Sequence, residues 1–299
     1  MTEKVSFNDN VKKEIAENKK FARSCCKMSY LYGMLLFSGT YKSDCFKLNV
    51  KSADVVKKLC VLADSVCDVT LAVSAGARNF TVSAEDDDAS RLFEIMGNSQ
   101  NETALRINRA VFDCDICAYA FFAGAFLACG MISDPQKDYR LEFDISSKKR
   151  AQDLALLLEE NISKPFISIR KSSYVVYYRD SSVIEDFLNF VGAKATIFDL
   201  MNAKIEKDMR NALTRQQNYS LANLKKTVHI AVMQVQAIEK LKSNGMYDKL
   251  PEDTKEIADL RMENPDASLS LLSELSGQKY GKSYINRRLG KIVELAEKL

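Results

Sequence analysis

Four groups of residues in this chain have types and spacings that could do chemistry. Cys114 and Cys117 form a Cys-x-x-Cys pair, and Cys25 and Cys26 are adjacent. Thiolates hold soft divalent metals, but a structural zinc site takes four ligands, and neither a second Cys-x-x-Cys nor a His pair stands in the chain. Both pairs therefore read as small apolar thiols, the first near the start of a buried helix. The single histidine, His229, has no nucleophile motif near it, so a Ser/His/Asp arrangement finds no support. Glu85 to Asp88 is a run of four acids without the alternating ligands and glycine of a calcium loop, and reads as a solvated loop before a helix over 89–96. GQKYGKS, from Gly277 to Ser283, resembles a phosphate-binding loop. Only three residues separate its glycines where four are needed, and a helix rather than a strand precedes it. These groups point to no catalytic residue, metal, cofactor or small-molecule substrate.

The elements that would position any site come next. The chain has 299 residues, 46% apolar and 28% charged, enough for two domains with a sizeable core. The first twenty residues, MTEKVSFNDNVKKEIAENKK, contain no apolar stretch or small-residue cleavage site, which predicts a cytoplasmic protein with its eight cysteines reduced. The uncharged run from Ile116 to Ile132 would span roughly 25 Å as a helix, at the lower limit for a bilayer. It is rich in Ala, Gly and Cys rather than Leu, Ile and Val, so a buried helix is the expectation and membrane contact is not. A net charge of +3 is too mild to identify a nucleic-acid binder by itself.

The chain resembles itself. YLYGMLLFSGTYKSD at 30–44 and FFAGAFLACGMISD at 121–134 share a glycine, five mostly apolar residues, a second glycine and a polar turn ending in Asp; Gly33 and Gly39 stand 91 residues before Gly124 and Gly130. An alternating segment follows each copy, FKLNV at 46–50 and YRLEFDI at 139–145, whose period of two predicts a half-buried strand. Helical patterns come next, then the strands NFTVSA and SYVVYY, then short amphipathic helices closing at Gly97 and Gly192. Such a repeat predicts an α+β domain with pseudo-twofold symmetry ending near Ala193. Ala120, Gly124 and Ala128 share one helical face, which predicts close packing between the two glycine-bearing helices.

The doubled pattern resembles the LAGLIDADG homing-endonuclease fold, with LYGMLLFSG (Leu31 to Gly39) and FAGAFLACG (Phe122 to Gly130) on the nine-residue motif. The resemblance implies metal-binding carboxylates at the penultimate motif position, where oxygen ligands would hold Mg²⁺. This chain has Ser38 and Cys129 there. Asp44 and Asp134 lie beyond each motif and read as solvated turn residues.

From Lys194 to Asn223 the sequence is polar and partly helical, with five Lys or Arg against three acids, and Lys225 and Lys226 follow. It reads as a basic connector, with Arg210, Arg215, Lys225 and Lys226 as candidate further DNA contacts. Beyond it, LKKTVHIAVMQVQAIEKLKS predicts a helix stopped by Asn244 and Gly245. Pro251 and the acids after it open a second helix, which halts before Pro265. Asp266 or Ser268 caps a short third, with Leu269, Leu272 and Leu275 on its inner face. A last helix from about Lys282, with Ser283 as a candidate cap, turns Ile285, Leu289, Ile292 and Leu295 inward, with Ala296 beside them. Gly277 to Ile292 contains five basic residues and no acid. Short helix, turn and basic helix make a helix-turn-helix over about Ser268 to Leu299, whose second helix enters the major groove of double-stranded DNA. Lys279, Lys282, Ser283, Tyr284, Asn286, Arg287, Arg288 and Lys291 are the candidate contacts. Arg can read guanine and Asn adenine, while Lys mostly neutralises phosphate.

The two degenerate motifs, NALTRQQNYSLANLKKTV and PDASLSLLSELSGQKYGKSYINRRLGKIVELAEKL together resemble the WhiA family of bacterial sporulation and cell-division regulators along essentially the whole chain. That resemblance implies a LAGLIDADG-like domain over 1–193, a connector over 194–223 and an all-α helix-turn-helix domain over 224–299. It further implies a non-enzymatic, nucleoid-associated transcription regulator serving cell division, chromosome segregation or sporulation, with transcription machinery or another regulator as a further partner. The alternatives are a metal-dependent endonuclease and a protein-interaction adaptor.

Overall fold

The computed structural model describes residues 6–77, 79–97 and 105–299. The chain divides into two compact units, Met1–Lys207 and Asp208–Leu299. In the first, a helix α1 (Phe7–Glu17) precedes two copies of one element order. The first copy runs α2 (Ser24–Leu36), β1 (Thr40–Tyr41), β2 (Cys45–Val50), α3 (Ala53–Cys67), β3 (Ala72–Ala75), β4 (Phe80–Glu85) and α4 (Asp86–Ile95). The second runs α5 (Cys117–Cys129), β5 (Gly130–Ile132), β6 (Leu141–Ile145), α6 (Lys148–Asn161), β7 (Phe166–Arg170), β8 (Ser173–Tyr178) and α7 (Ser181–Val191). Each copy builds a four-stranded antiparallel sheet, ordered β1-β2-β4-β3 and β5-β6-β8-β7. The fold is α+β, and identical strand orders are what a duplicated unit requires. In β2 the alternation appears as buried Phe46, Leu48 and Val50 between exposed Lys47 and Asn49.

The repeats meet along α2 and α5. A Cβ on Gly33 would stand 2.3 Å from the Phe121 carbonyl oxygen, and one on Gly124 would stand 2.1 Å from that of Tyr30. The contact is reciprocal: each glycine lets the other helix's backbone into the space a side chain would fill. Phe121, Phe122, Ala123, Ala125, Phe126 and Leu127 are all fully buried, so α5 has no face for a charge. Burial on every side, at about 1.5–3 kcal/mol for each large apolar side chain, accounts for the uncharged run without a bilayer. No described helix is long and apolar enough to cross a membrane.

Several details differ from the sequence reading. The acids from Asp86 to Asp88 lie in the first turn of α4 rather than in a loop, where the helix dipole favours negative charge. The edge strands β3 and β7 carry little alternation because every β3 residue and most of β7 are exposed. Between Lys194 and Ser243 the chain forms a single helix, α8, instead of a partly helical connector and a separate helix.

In the second unit, Gly245 (φ +63°) terminates α8, and α9 (Glu252–Glu263), α10 (Leu269–Leu275) and α11 (Lys282–Glu297) follow. Ala237, Ile238 and Leu241 of α8, Ile257 and Ala258 of α9, Leu272 of α10 and Ile285, Leu289, Ile292 and Ala296 of α11 form its core. Leu275 and Leu295 are exposed, against expectation. Steps of three residues rotate about 60° backward around a helix, so Leu269 still packs against the core beside Leu272 while Leu275, about 120° round from Leu269, turns out. Ser268 accepts from the Leu271 amide as the cap of α10, whereas Gly281, not Ser283, occupies the N-cap of α11.

Candidate nucleic-acid interface

The α10–α11 turn is made by Gly277 and Gln278, both at positive φ (+64° and +60°), with the Gln278 amide donating to the Ser273 carbonyl at 3.0 Å. This left-handed pair ends α10 sharply and lets α11 set out across it. Arg261 of α9, only 2% exposed, donates to the Ala267 carbonyl at 2.6 Å and so fixes the α9–α10 corner. Burial lowers its pKa without bringing it near neutrality, since an arginine stays charged in proteins.

The predicted contact residues of α11 separate into two sets. Ile285, Leu289 and Ile292 bind the helix to the core, which turns Lys282, Ser283, Asn286, Arg287 and Lys291 to solvent. No acid pairs with these five among the described residues. The Arg287 guanidinium lies 5.2 Å from the Tyr284 ring centroid, and Tyr284 stacks on Tyr280 at 5.6 Å with an interplanar angle of 8°. The second set faces α9. Arg288 and the Tyr284 hydroxyl both donate to Asp253, while Lys279 and the Tyr280 hydroxyl each reach Glu256 at 2.6 Å. Tyr284 and Arg288 thus brace α11 against α9 rather than standing open, while Lys279, in the turn before α11, pairs with Glu256 and stays exposed. The Tyr284 hydrogen bond, with Thr254 and Arg288 adding to it, holds the Asp253 carboxyl below the usual carboxylate range; Lys279 does the same for Glu256. Arg210, Arg215, Lys225 and Lys226 are exposed along α8, as is His229.

At the positions where a nuclease of this fold would hold acids, the groups present oppose a cation. The buried Ser38 hydroxyl lies 2.6 Å from the Leu35 carbonyl oxygen and 3.0 Å from that of Thr40, closing the end of α2. Protein surrounds Cys129 although its surface is not fully closed off, and burial pushes its thiol up to about 12, outweighing the opposing pull of Lys12 and Arg150. Lys12 donates to the Leu127 carbonyl at 3.4 Å, and Arg150 donates to that of Leu36. A neutral thiol, a hydroxyl and two cations occupy this region. Asp44 and Asp134 are exposed in turns, where Asp134 accepts from the Gln136 amide at 3.0 Å.

One group was missed in the sequence. Cys25 and Cys26, in the first turn of α2, meet Cys114 and Cys117 at the start of α5, and the four sulfurs all lie within 4.8 Å of one another. Reading each pair as isolated apolar thiols is corrected by this convergence. The signal was the placement of each pair ahead of one of the two motifs, whose helices must be neighbours.

The fold and these sites define a class: a duplicated LAGLIDADG-like domain without the paired acids, followed by a helix-turn-helix. The family model for the WhiA LAGLIDADG-like domain matches residues 118–210, and that for the WhiA C-terminal HTH domain matches 213–296. A "probable cell division protein WhiA" of Caldicellulosiruptor saccharolyticus is 32% identical over 99% of this chain and 96% of its own; one from Desulfitobacterium hafniense is 33% identical over the same shares. The crystal structure of full-length WhiA from Thermatoga maritima shares the fold at a TM-score of 0.58, with 22% identity over 98% of this chain and 99% of that one. The chain belongs to the WhiA family.

Proposed function

We propose that this protein is a sequence-specific DNA-binding regulator of transcription acting in cell division, and that it is not a nuclease. The observation that carries the reading is the exposed face of α11, where Lys282, Ser283, Asn286, Arg287 and Lys291 stand beyond a helix-turn-helix turn. Arg287 and Asn286 are the residues of this face able to read base edges, while Lys282 and Lys291 neutralise phosphates. The exposed cations of α8 add backbone contacts. The names of the relatives support cell division as the process, and the family resemblance adds chromosome segregation and sporulation. We assign the LAGLIDADG-like domain to backbone contacts or to docking of transcription machinery or another regulator, in a nucleoid-associated protein of the cytoplasm. The domain limits 1–193, 194–223 and 224–299 are kept as functional segments, although α8 runs through the second of them.

Genome-wide mapping of bound DNA, followed by anisotropy titration of the enriched sequence, tests the reading. The expected result is a recurrent motif bound at least about a thousandfold more tightly than scrambled duplex, the lower end of specific recognition. Uniform binding to all duplexes would sink it.

A further inference from the structure

The cysteine convergence has the geometry of a metal site. Cys25 Sγ and Cys26 Sγ each stand 3.6 Å from Cys114 Sγ, and Cys114 Sγ stands 3.4 Å from Cys117 Sγ. Four sulfurs around one ion at a zinc–sulfur distance of about 2.3 Å would be about 3.8 Å apart, the edge of a tetrahedron. These three separations are close to that edge and far beyond the roughly 2.05 Å of a disulfide, and the other three stay within 4.8 Å. A cluster of several irons would hold its cysteines further apart than a single ion does. From this geometry we propose that Cys25, Cys26, Cys114 and Cys117 bind one zinc ion as a mononuclear tetrathiolate site.

The surrounding structure suits that ligand set. Cys25 and Cys26 lie in the first turn of α2 and Cys117 opens α5, so two helix N-termini favour thiolate charge at the cluster. The Cys117 amide donates to the Cys114 carbonyl at 2.9 Å, which folds the Cys-x-x-Cys segment into a turn presenting both sulfurs to one side. The Ser29 hydroxyl lies 2.9 Å from the Cys25 carbonyl oxygen and 3.1 Å from that of Val111, joining the α2 turn to the segment before Cys114. Cys26 and Cys117 are buried while Cys25 and Cys114 are partly exposed, so an ion has a route from solvent. Binding replaces four S–H bonds with four Zn–S bonds and releases four protons, with no change of oxidation state. The bound ion would staple the N-terminal ends of the two repeats, about two turns from the glycine crossing of α2 and α5. It takes no part in the proposed DNA contacts, and its failure would leave that reading intact.

The test uses the full chain, purified under reducing conditions without chelator. Elemental analysis should find about one zinc per chain. Co²⁺ exchanged into the protein should give the charge-transfer and d–d bands of a tetrahedral tetrathiolate. The double variant Cys114→Ser/Cys117→Ser should lose the ion, and Cys45→Ser/Cys60→Ser should keep it. Should the first variant fail to fold, alkylation of the wild-type protein read by mass spectrometry still decides: Cys25, Cys26, Cys114 and Cys117 should be protected until a chelator is added. Failure of the reduced protein to take up Zn²⁺ or Co²⁺, an ion retained without Cys114 and Cys117, iron instead of zinc, or a disulfide among the four in anaerobically prepared protein would each overturn the proposal.

Discussion

Arg287 and Arg288 are neighbours with opposite surroundings, and their substitution separates recognition from stability. Arg287 rests over the Tyr284 ring and faces solvent, so Arg287→Ala should weaken binding to the cognate site by about ten- to a hundredfold, the loss of one base contact of about 1–3 kcal/mol, with thermal stability unchanged. Arg288 is ion-paired to Asp253, so Arg288→Ala should lower the melting temperature of the C-terminal unit. Anisotropy titrations beside thermal melts check both, and equal DNA affinity for Arg287→Ala and wild type would refute the assignment of α11. The Asp253 brace also gives a pH dependence. Its carboxyl is held low in the folded state by the Tyr284 hydrogen bond first, so its stabilisation is fully present above the ordinary carboxylate pKa of about 3.9. That stabilisation is lost as pH falls through the depressed folded value. Melts of Asp253→Asn against pH should lack this part of the acid sensitivity. The exposed residues of α11 were legible in the sequence because its apolar positions set the helix phase. The bracing roles of Tyr284 and Arg288 were not, because their partner Asp253 lies 31 and 35 residues away on a helix whose angle no local pattern gives.

At the scale of elements, the glycine crossing of α2 and α5 organises the first unit. Gly33→Ala and Gly124→Ala each place a methyl against backbone that side-chain rotation cannot move aside, so the helices must separate. Each should destabilise the fold by about 1–3 kcal/mol, the usual cost of overpacking, measurable by chemical denaturation. Gly290, inside α11 with open space around its missing Cβ, is the contrasting case. Gly290→Ala should stabilise by about 0.5–1 kcal/mol through helix propensity. Equal effects at the three glycines would show that the close approach is not what selects Gly33 and Gly124. The crossing was readable because the motif occurs twice at one spacing, and self-similarity survives where periodicity is weak. Spacing rules for zinc ligands, by contrast, assume local Cys or His pairs of a familiar form. The four thiols come from an adjacent pair and a Cys-x-x-Cys 88 residues later, and become neighbours only through the packing of α2 on α5. The edge strands β3 and β7 stayed hidden for a related reason, since exposed edges relax the alternation that marks a half-buried strand.

For the whole molecule, the question is whether a nuclease scaffold that retains its duplicated sheets and interface helices retains nuclease chemistry. In-line phosphoryl displacement with Mg²⁺ needs hard anionic ligands near the ends of the paired helices. Ser38 is committed to backbone carbonyls there, and the neutral thiol of Cys129 lies among Lys12 and Arg150. Restoring the acids would therefore not restore a site. In Ser38→Asp/Cys129→Asp, the new carboxylate at position 129 should pair with Lys12 and Arg150, since fixed cations already close by win over a hydrated Mg²⁺ that gives up its water reluctantly. Plasmid or cognate duplex incubated with Mg²⁺ or Mn²⁺ should remain intact with the wild type and with this double variant alike. Specific cleavage by the wild type, abolished by Asp44→Asn or Asp134→Asn, would instead place a displaced metal site in the exposed turns. Cleavage gained by the double variant would show that Lys12 and Arg150 yield to a metal, and that the missing acids alone separate this chain from a nuclease.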